Sequence, residues 1–330
     1  MPEQPLESPD LEPAAADDLL PTVPVVGLAE ITTDVTAAAT ATTAGGAVTP
    51  VAAAYRKRTL GLIFWLSVSW LVVVVLAALL ADLLPLADYT DTTAGVARSG
   101  PSGDHVLGVD GVGRDMLARV VYGTRVSLAV GFMSILMGLV VGGGLGVVAG
   151  YFRGRIESVI MGAMDILLAF PALVLALAIV TFWAQGKANI GHVTVAIGLL
   201  SIAPIARIIR ANTLTFAQRD FVLAARALGA GDRRIIVKEI LPNVLPPVFA
   251  FSLIAVAVAI VAEGTLAFLA LSVQPPTPTW GGMINEGRRL LNDAPHVAFM
   301  PAIAMFLTVL ALNFAGDSLR ARFEVREGRL

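Results

Sequence analysis

Long apolar runs separated by short charged clusters dominate the chain. A helix that crosses a hydrocarbon layer of about 30 Å needs about 20 apolar residues at about 1.5 Å each. Six stretches are read as such spans: roughly Leu60–Leu84, Val126–Ala149, Met164–Trp183, His192–Ile209, the run from Pro247 to Leu271, and Val297–Gly316. The fourth is the shortest. Pro171 falls inside the third, where a missing backbone donor predicts a kink. In the second, Gly138, Gly142 and Gly146 recur every fourth residue, with Gly143 and Gly144 beside them. Small residues at that spacing predict a face on which another helix packs closely. The pattern predicts an all-α polytopic membrane protein with six transmembrane helices.

Charge sets the expected orientation. With the N-terminus inside, the inner segments hold Arg56, Lys57 and Arg58, then Arg153 and Arg155, then a basic group from Arg207 to Lys238, and finally Arg320 to Arg329. The outer segments hold fewer than half as many basic residues, which places both termini in the cytosol. The first helix is then an uncleaved signal anchor. Residues 1–55 contain eight acidic residues and no Lys or Arg. They read as a disordered acidic cytosolic tail, ahead of a transmembrane domain over 56–330. Composition agrees with the spans: 56% of residues are hydrophobic and 15% charged, against about 25% charged in soluble domains. There is no cysteine, which excludes disulfides and Cys-ligated metals.

Two outer loops, about 85–125 and 274–296, are long. The first ends in Met116, Leu117, Val120 and Val121, spaced to suit a helix lying in the membrane interface. The second opens with Pro275, Pro276 and Pro278, followed by Trp280 as a candidate headgroup anchor.

The inner loop, about 219–243, carries more information. Asp220 can cap a helix in which Phe221, Ala224, Ala225 and Leu228 fall on one apolar face. Gly229 can end it in a left-handed turn. Asp232 can cap a second helix with Ile235, Ile236 and Ile240, limited by Pro242. The apolar face can be buried on the protein's own spans or in a groove of a soluble partner, and spacing does not choose between them.

Ala224-Ala225-Arg226-Ala227-Leu228-Gly229, followed by Ile240-Leu241-Pro242-Asn243, resembles the EAA loop of ABC importer permeases. Leu223 stands at the family's Glu position, and Glu239 where peptide-type members often carry His. His105 to Asp115, running on to Tyr122–Leu128, is similar to the outer segment of the C-type subunit of dipeptide, oligopeptide and nickel permeases. Gln274–Pro278 with Trp280-Gly281 and Glu286-Gly287 resembles the same family, as does Asn313 with Gly316-Asp317. The resemblance covers about Arg56 to Arg326.

It implies the type I ABC importer permease fold in a bacterial cytoplasmic membrane, most simply for di- or oligopeptides. Nickel or glutathione importers of the same family stay open. It implies a second, B-type permease subunit, two ABC ATPase subunits and an external substrate-binding protein as partners, besides the lipid bilayer, and no nucleic acid. Phe221, Ala224, Ala225, Leu228, Gly229 and Ala230 would then form the ATPase-coupling site. ATP and Mg²⁺ would be bound by the partner ATPases. This chain has no Gly-x-x-x-x-Gly-Lys-Ser/Thr, and no catalytic arrangement, cofactor or metal is expected in it.

Among ionisable residues near or within spans, Glu263 matches a family Glu, and a translocation-pathway role and a structural hydrogen-bonding role stay open for it. Asp165 is expected to pair at the inner boundary with Arg153 or Arg155. His105, His192 and His296 are scattered and lack metal-ligand spacing. A stand-alone secondary transporter or channel would show inverted repeats, which are not evident here. A membrane scaffold would not need a coupling helix.

Overall fold

The computed structural model describes residues 61–327. The expected acidic tail lies outside the described residues. Helices α1 (Leu62–Leu80), α2 (Met116–Phe152), α3 (Gly154–Ala169), α4 (Ala172–Ala184), α5 (Ile190–Phe216), α6 (Asp220–Ala227), α7 (Asp232–Phe268), α8 (Trp280–Gly287) and α9 (His296–Glu327) account for most of this length. Among the described residues, the one extended pairing is an isolated bridge between Val109 and Asp115.

Helices α1, α2, α5, α7 and α9 are each long and apolar enough to cross a membrane. The expected third span is broken into α3 and α4, which meet at 84°. Phe170 is extended and Pro171 opens α4. A proline clashes with α geometry at the residue before it, so the chain loses two helical positions in a row and turns sharply instead of bending gently. The expected interfacial helix also differs. Its residues form the first turns of α2, capped by Asp115, whose side chain accepts from Ala118 N–H at 2.9 Å. Met116 is fully buried against Met283, Ala294 and Val297, so this apolar face is covered by protein.

Helices α2 and α5 make the most extensive pairing. Gly138, Gly142, Gly146 and Gly150 line the contact. A Cβ at Gly146 would sit 2.5 Å from the Ala206 carbonyl oxygen, and one at Gly150 would sit 2.7 Å from that of Arg210. In lipid there is no hydrophobic gain from bringing two helices together, so close backbone approach and dispersion must hold the pair. Gly144 lies off this face, with nothing within 4 Å of its would-be Cβ. We expect Gly146→Leu to abolish accumulation of the folded chain and Gly144→Leu to leave it unchanged, read by detergent-resistant monodispersity on gel filtration.

On the outside of the bundle, α1 leaves Leu62, Leu66, Val73 and Leu79 more than half exposed. That surface requires lipid or a membrane partner. Trp280, expected at the headgroup level, is buried instead. Its indole Nε1 donates to Val120 O at 3.2 Å, and its backbone N–H donates to Ser127 Oγ at 3.1 Å. It locks α8 onto α2.

Candidate functional site: an exposed helical hairpin between two spans

The inner loop folds as two helices joined at Gly229. Helix α6 starts one residue earlier than expected, with Arg219 as its N-cap and Asp220 as its first residue. The second helix is shifted likewise, with Gly231 at the cap position. Asp232 does not cap; its carboxylate is taken by Tyr151 instead. At the other end of α6, Gly229 has φ +79°. Its N–H donates to Arg226 O at 3.0 Å, and Ala230 N–H donates to Ala225 O at 3.0 Å. These two bonds are the Schellman pair, which satisfies orphan carbonyls and needs a left-handed residue in the middle.

Pro242 does not end the second helix. Residues Ile235–Ile240 form a wide π-helical turn in which Leu241 N–H donates to the Ile236 carbonyl, five residues back. Helix α7 then runs through Pro242, Pro246 and Pro247 to Phe268. The wider turn eases the backbone past prolines that cannot donate. The hairpin is therefore continuous with a membrane span, with no flexible loop between them.

The predicted apolar face of α6 splits in two. Val222 is fully buried, and Phe221, Ala225 and Ala230 pack beside it on the core formed by Ile235, Ile240 and Val244. Ala224 and Leu228 are exposed, Leu228 at 89%, and Leu223 joins them at 51%. Of the two alternatives left open by spacing, burial on the chain's own core accounts for one side of α6, and the other side is exposed in the chain taken alone.

A polar latch fixes the hairpin to α2. Tyr151 donates to Asp232 Oδ1 at 2.7 Å, Arg226 Nη2 donates to the Tyr151 hydroxyl at 3.3 Å, and the guanidinium lies 5.9 Å from the ring centroid. Sequence reasoning missed Tyr151. Its partners lie more than seventy residues away, and a lone Tyr at a span end reads as an interface residue.

A second charged cluster organises the outer side. Asp110 Oδ2 accepts from Arg114 Nε at 2.6 Å and from Arg119 Nη1 at 2.5 Å. Glu286 accepts from Arg114 at 3.0 Å and from Arg119 at 2.8 Å. Asp110 and Arg119 are almost wholly buried, and Glu286 is at the rim. The cluster ties the 85–115 loop, α2 and α8 together. Burial disfavours the Asp110 carboxylate, but the backbone N–H groups of Arg114 and Val112 and the charge of Arg119 outweigh it and hold its pKa below the ordinary value. A depressed carboxyl contributes stability that is present above the unfolded value, about pH 4. That stability is lost as pH falls through the lower folded one. We expect the 85–115 loop to resist protease at neutral and mildly acid pH and to be cut by pepsin only well below pH 4.

Glu263 lies in α7 at 0% exposure. Its Oε1 accepts from Ser272 Oγ at 2.5 Å, and Oε2 faces Gly281 at the start of α8, where even a Cβ would come within 3.3 Å. With the chain taken alone, no path for solute reaches this carboxylate in this conformation. One carboxylate oxygen is thus hydrogen-bonded, and the other, Oε2, is buried with no hydrogen-bond partner. Asp165 pairs with Arg207 on α5, not with Arg153 or Arg155. Those two arginines sit at the tight α2–α3 turn, beyond its reach. His105 bonds Asp115, His296 bonds Val109 O, and His192 completes the Asn189 capping box. All three are occupied in local structure.

A bundle of apolar helices, with a helical hairpin between two of its spans, is the architecture of a multi-pass membrane protein. Residues 142–328 match the family described as binding-protein-dependent transport system inner membrane component, and the chain belongs to it. The chain is 44% identical to the glutathione transport system permease protein GsiD of Pectobacterium atrosepticum over 223 residues, which are 68% of this chain and 73% of that protein. It is 41% identical to GsiD of Escherichia coli over the same length. A solved inward-facing form of the MetNI methionine ABC transporter aligns with a TM-score of 0.53 at 21% identity, over 63% of this chain and 97% of that one. At that identity the likeness speaks for the fold alone. The chain is a permease subunit of an ABC importer, in the bacterial inner membrane.

Proposed function

We propose that this subunit forms half of a translocation pathway for small peptides. It would be driven by two ABC ATPase subunits, paired with a second, B-type permease subunit and supplied by an external binding protein. The observation that carries the proposal is the exposed ridge of Leu223, Ala224 and Leu228 on a helix whose opposite side is anchored. A half-anchored apolar helix suits a groove on a soluble partner. In this reading Phe221, Ala225 and Ala230 hold α6 on the chain's core, Ala224 and Leu228 enter the ATPase groove, and Gly229 sets the turn. The π-turn passes motion into α7 and the Tyr151 latch passes it into α2. ATP and Mg²⁺ belong to the ATPases. Both termini and the hairpin share the cytosolic side. Glu263 serves as an internal tie between α7 and the segment that follows it, through Ser272, and not as a contact for solute.

Peptides are favoured as the substrate class because the similar proteins named above are glutathione permeases, and glutathione is a tripeptide. The test is affinity purification of the tagged chain from its native membrane in mild detergent. The expected result is a complex with a P-loop ATPase whose activity rises with the binding protein, and loss of that ATPase with Leu228→Asp. A chain that purifies without any ATPase would sink the proposal.

A further inference from the structure

Helix α3 is thinly covered. Of its sixteen residues only Met164 is buried. Yet two of its carboxylates reach α5. Asp165 pairs with Arg207, and Glu157 accepts from Arg210 Nε at 2.7 Å. Both pairs border one open cavity of about 600 Å³, whose wall also includes Ser158 and Met161. Asp165 lies eleven residues beyond Gly154, about 16 Å along the helix axis. Its side chain is 60% exposed and that of Arg207 is 49% exposed. A charge at the centre of a lipid-facing helix is costly to insert. Two exposed charges on one face, in a cavity, mark a face that meets water instead of lipid.

We propose that the Asp165–Arg207 pair is a binding site for the charged ends of a small peptide in transit, opening on the translocation pathway. This rests on the reading of the chain as a peptide permease. The chemistry matches a zwitterion. The Arg207 guanidinium accepts a C-terminal carboxylate through parallel N–H donors. The Asp165 carboxylate accepts an N-terminal ammonium. The pair and a simple dipeptide are each neutral, so exchange with a dipeptide leaves the net charge of the site unchanged. An ion pair this exposed is weakly held and opens readily. The Glu157–Arg210 pair is less exposed, at 21% and 32%, and bounds the site without exchanging. Asp165 and Glu157 stand eight residues apart on α3, about 12 Å. A dipeptide spans about 7 Å, so a single substrate engages one pair at a time. A guanidinium beside the carboxylate repels a divalent cation, which sets this site against a metal cargo.

The chain has no cysteine, so Ser158→Cys places a single thiol on the cavity wall with both ion pairs intact. The complete transporter carrying it, in inside-out vesicles, is exposed to a charged, membrane-impermeant maleimide. The expected result is labelling that Ala-Ala or S-methylglutathione slows at least fivefold and that N-acetyl-Ala-Ala-amide does not slow. Adding Asp165→Asn or Arg207→Gln removes the protection. Labelling only by a lipid-soluble maleimide would show that the face meets lipid and overturn the inference. So would labelling that both peptides leave equally fast. ATP-driven Ala-Ala uptake measured on the same transporter separates the two readings. Uptake without protection removes this site alone, whereas a wild-type transporter that imports no peptide removes the peptide reading with it.

Discussion

Replacing Gly229 with Glu is expected to reduce ATP-driven uptake at least tenfold while the chain still inserts and accumulates as the wild type does. Two features of the site set this outcome. Gly229 sits at φ +79° with no atom within 4 Å of a would-be Cβ, so the only intramolecular cost of a side chain is the left-handed backbone. That cost is about 1–2 kcal/mol, too little to unfold a bundle of this size. The new carboxylate, however, stands next to Leu228 on the face that has no cover. Burying a charge in a partner's apolar groove costs several kcal/mol, so docking fails while folding does not. Gly231→Ala is the matched control. Gly231 has φ −72° and also has open space around it, and its substitution should leave uptake intact. Uptake by Gly229→Glu equal to the wild type would remove α6 from the drive mechanism.

The second large effect is expected on the outer side. Arg119→Ala takes away a guanidinium that is 2% exposed and shared by Asp110 and Glu286. Breaking a buried pair by deleting one partner costs about 3–5 kcal/mol, because the surviving charge stays buried. Arg114 remains on Asp110, which places the expected cost near the lower end. The variant should show a lowered thermal midpoint in detergent and rapid proteolysis within residues 85–115. Arg119→Lys should recover only part of the loss, since a single ammonium cannot serve both carboxylates in the same directions. A midpoint equal to the wild type would mean that the outer loop and α8 are held by Trp280 and the apolar cluster around Met116, not by charge.

The helical architecture was legible because hydrophobic length is a property of contiguous sequence. All six apolar runs correspond to helices, and the glycine spacing in the second correctly announced its packing with another helix. What sequence obscured is where continuity ends. Pro171 and Pro242 look alike in one dimension. The first breaks a span by 84°, because Phe170 before it leaves the helical region. The second is carried inside a helix, because a π-turn precedes it. Nothing in the local sequence announces that turn. Met116 to Val121 carried a correct helical period, but period alone cannot say whether lipid or protein covers the apolar side. The same limit applied to α6. The face from Phe221 to Leu228 was identified as apolar, yet Val222 outside the stripe is the residue fully buried, and Leu228 within it is nearly fully exposed. Charged partners were the least legible. Asp165 with Arg207, and Asp110 with Arg119 and Glu286, join elements that only the packed bundle brings together.

The central claim is that the hairpin over 219–243 is where a partner ATPase drives this permease. The absence of cysteine again allows a direct measurement. Leu228→Cys supplies a single exposed thiol on α6, and a short reagent whose maleimide takes that thiol and whose photoactivated end inserts into any neighbouring chain is applied to the assembled transporter and irradiated with and without ATP. The account predicts an ATPase-linked product in high yield, with a yield that changes when ATP is bound. A Leu228→Cys chain that forms no ATPase-linked product in a transporter still active in uptake would contradict it.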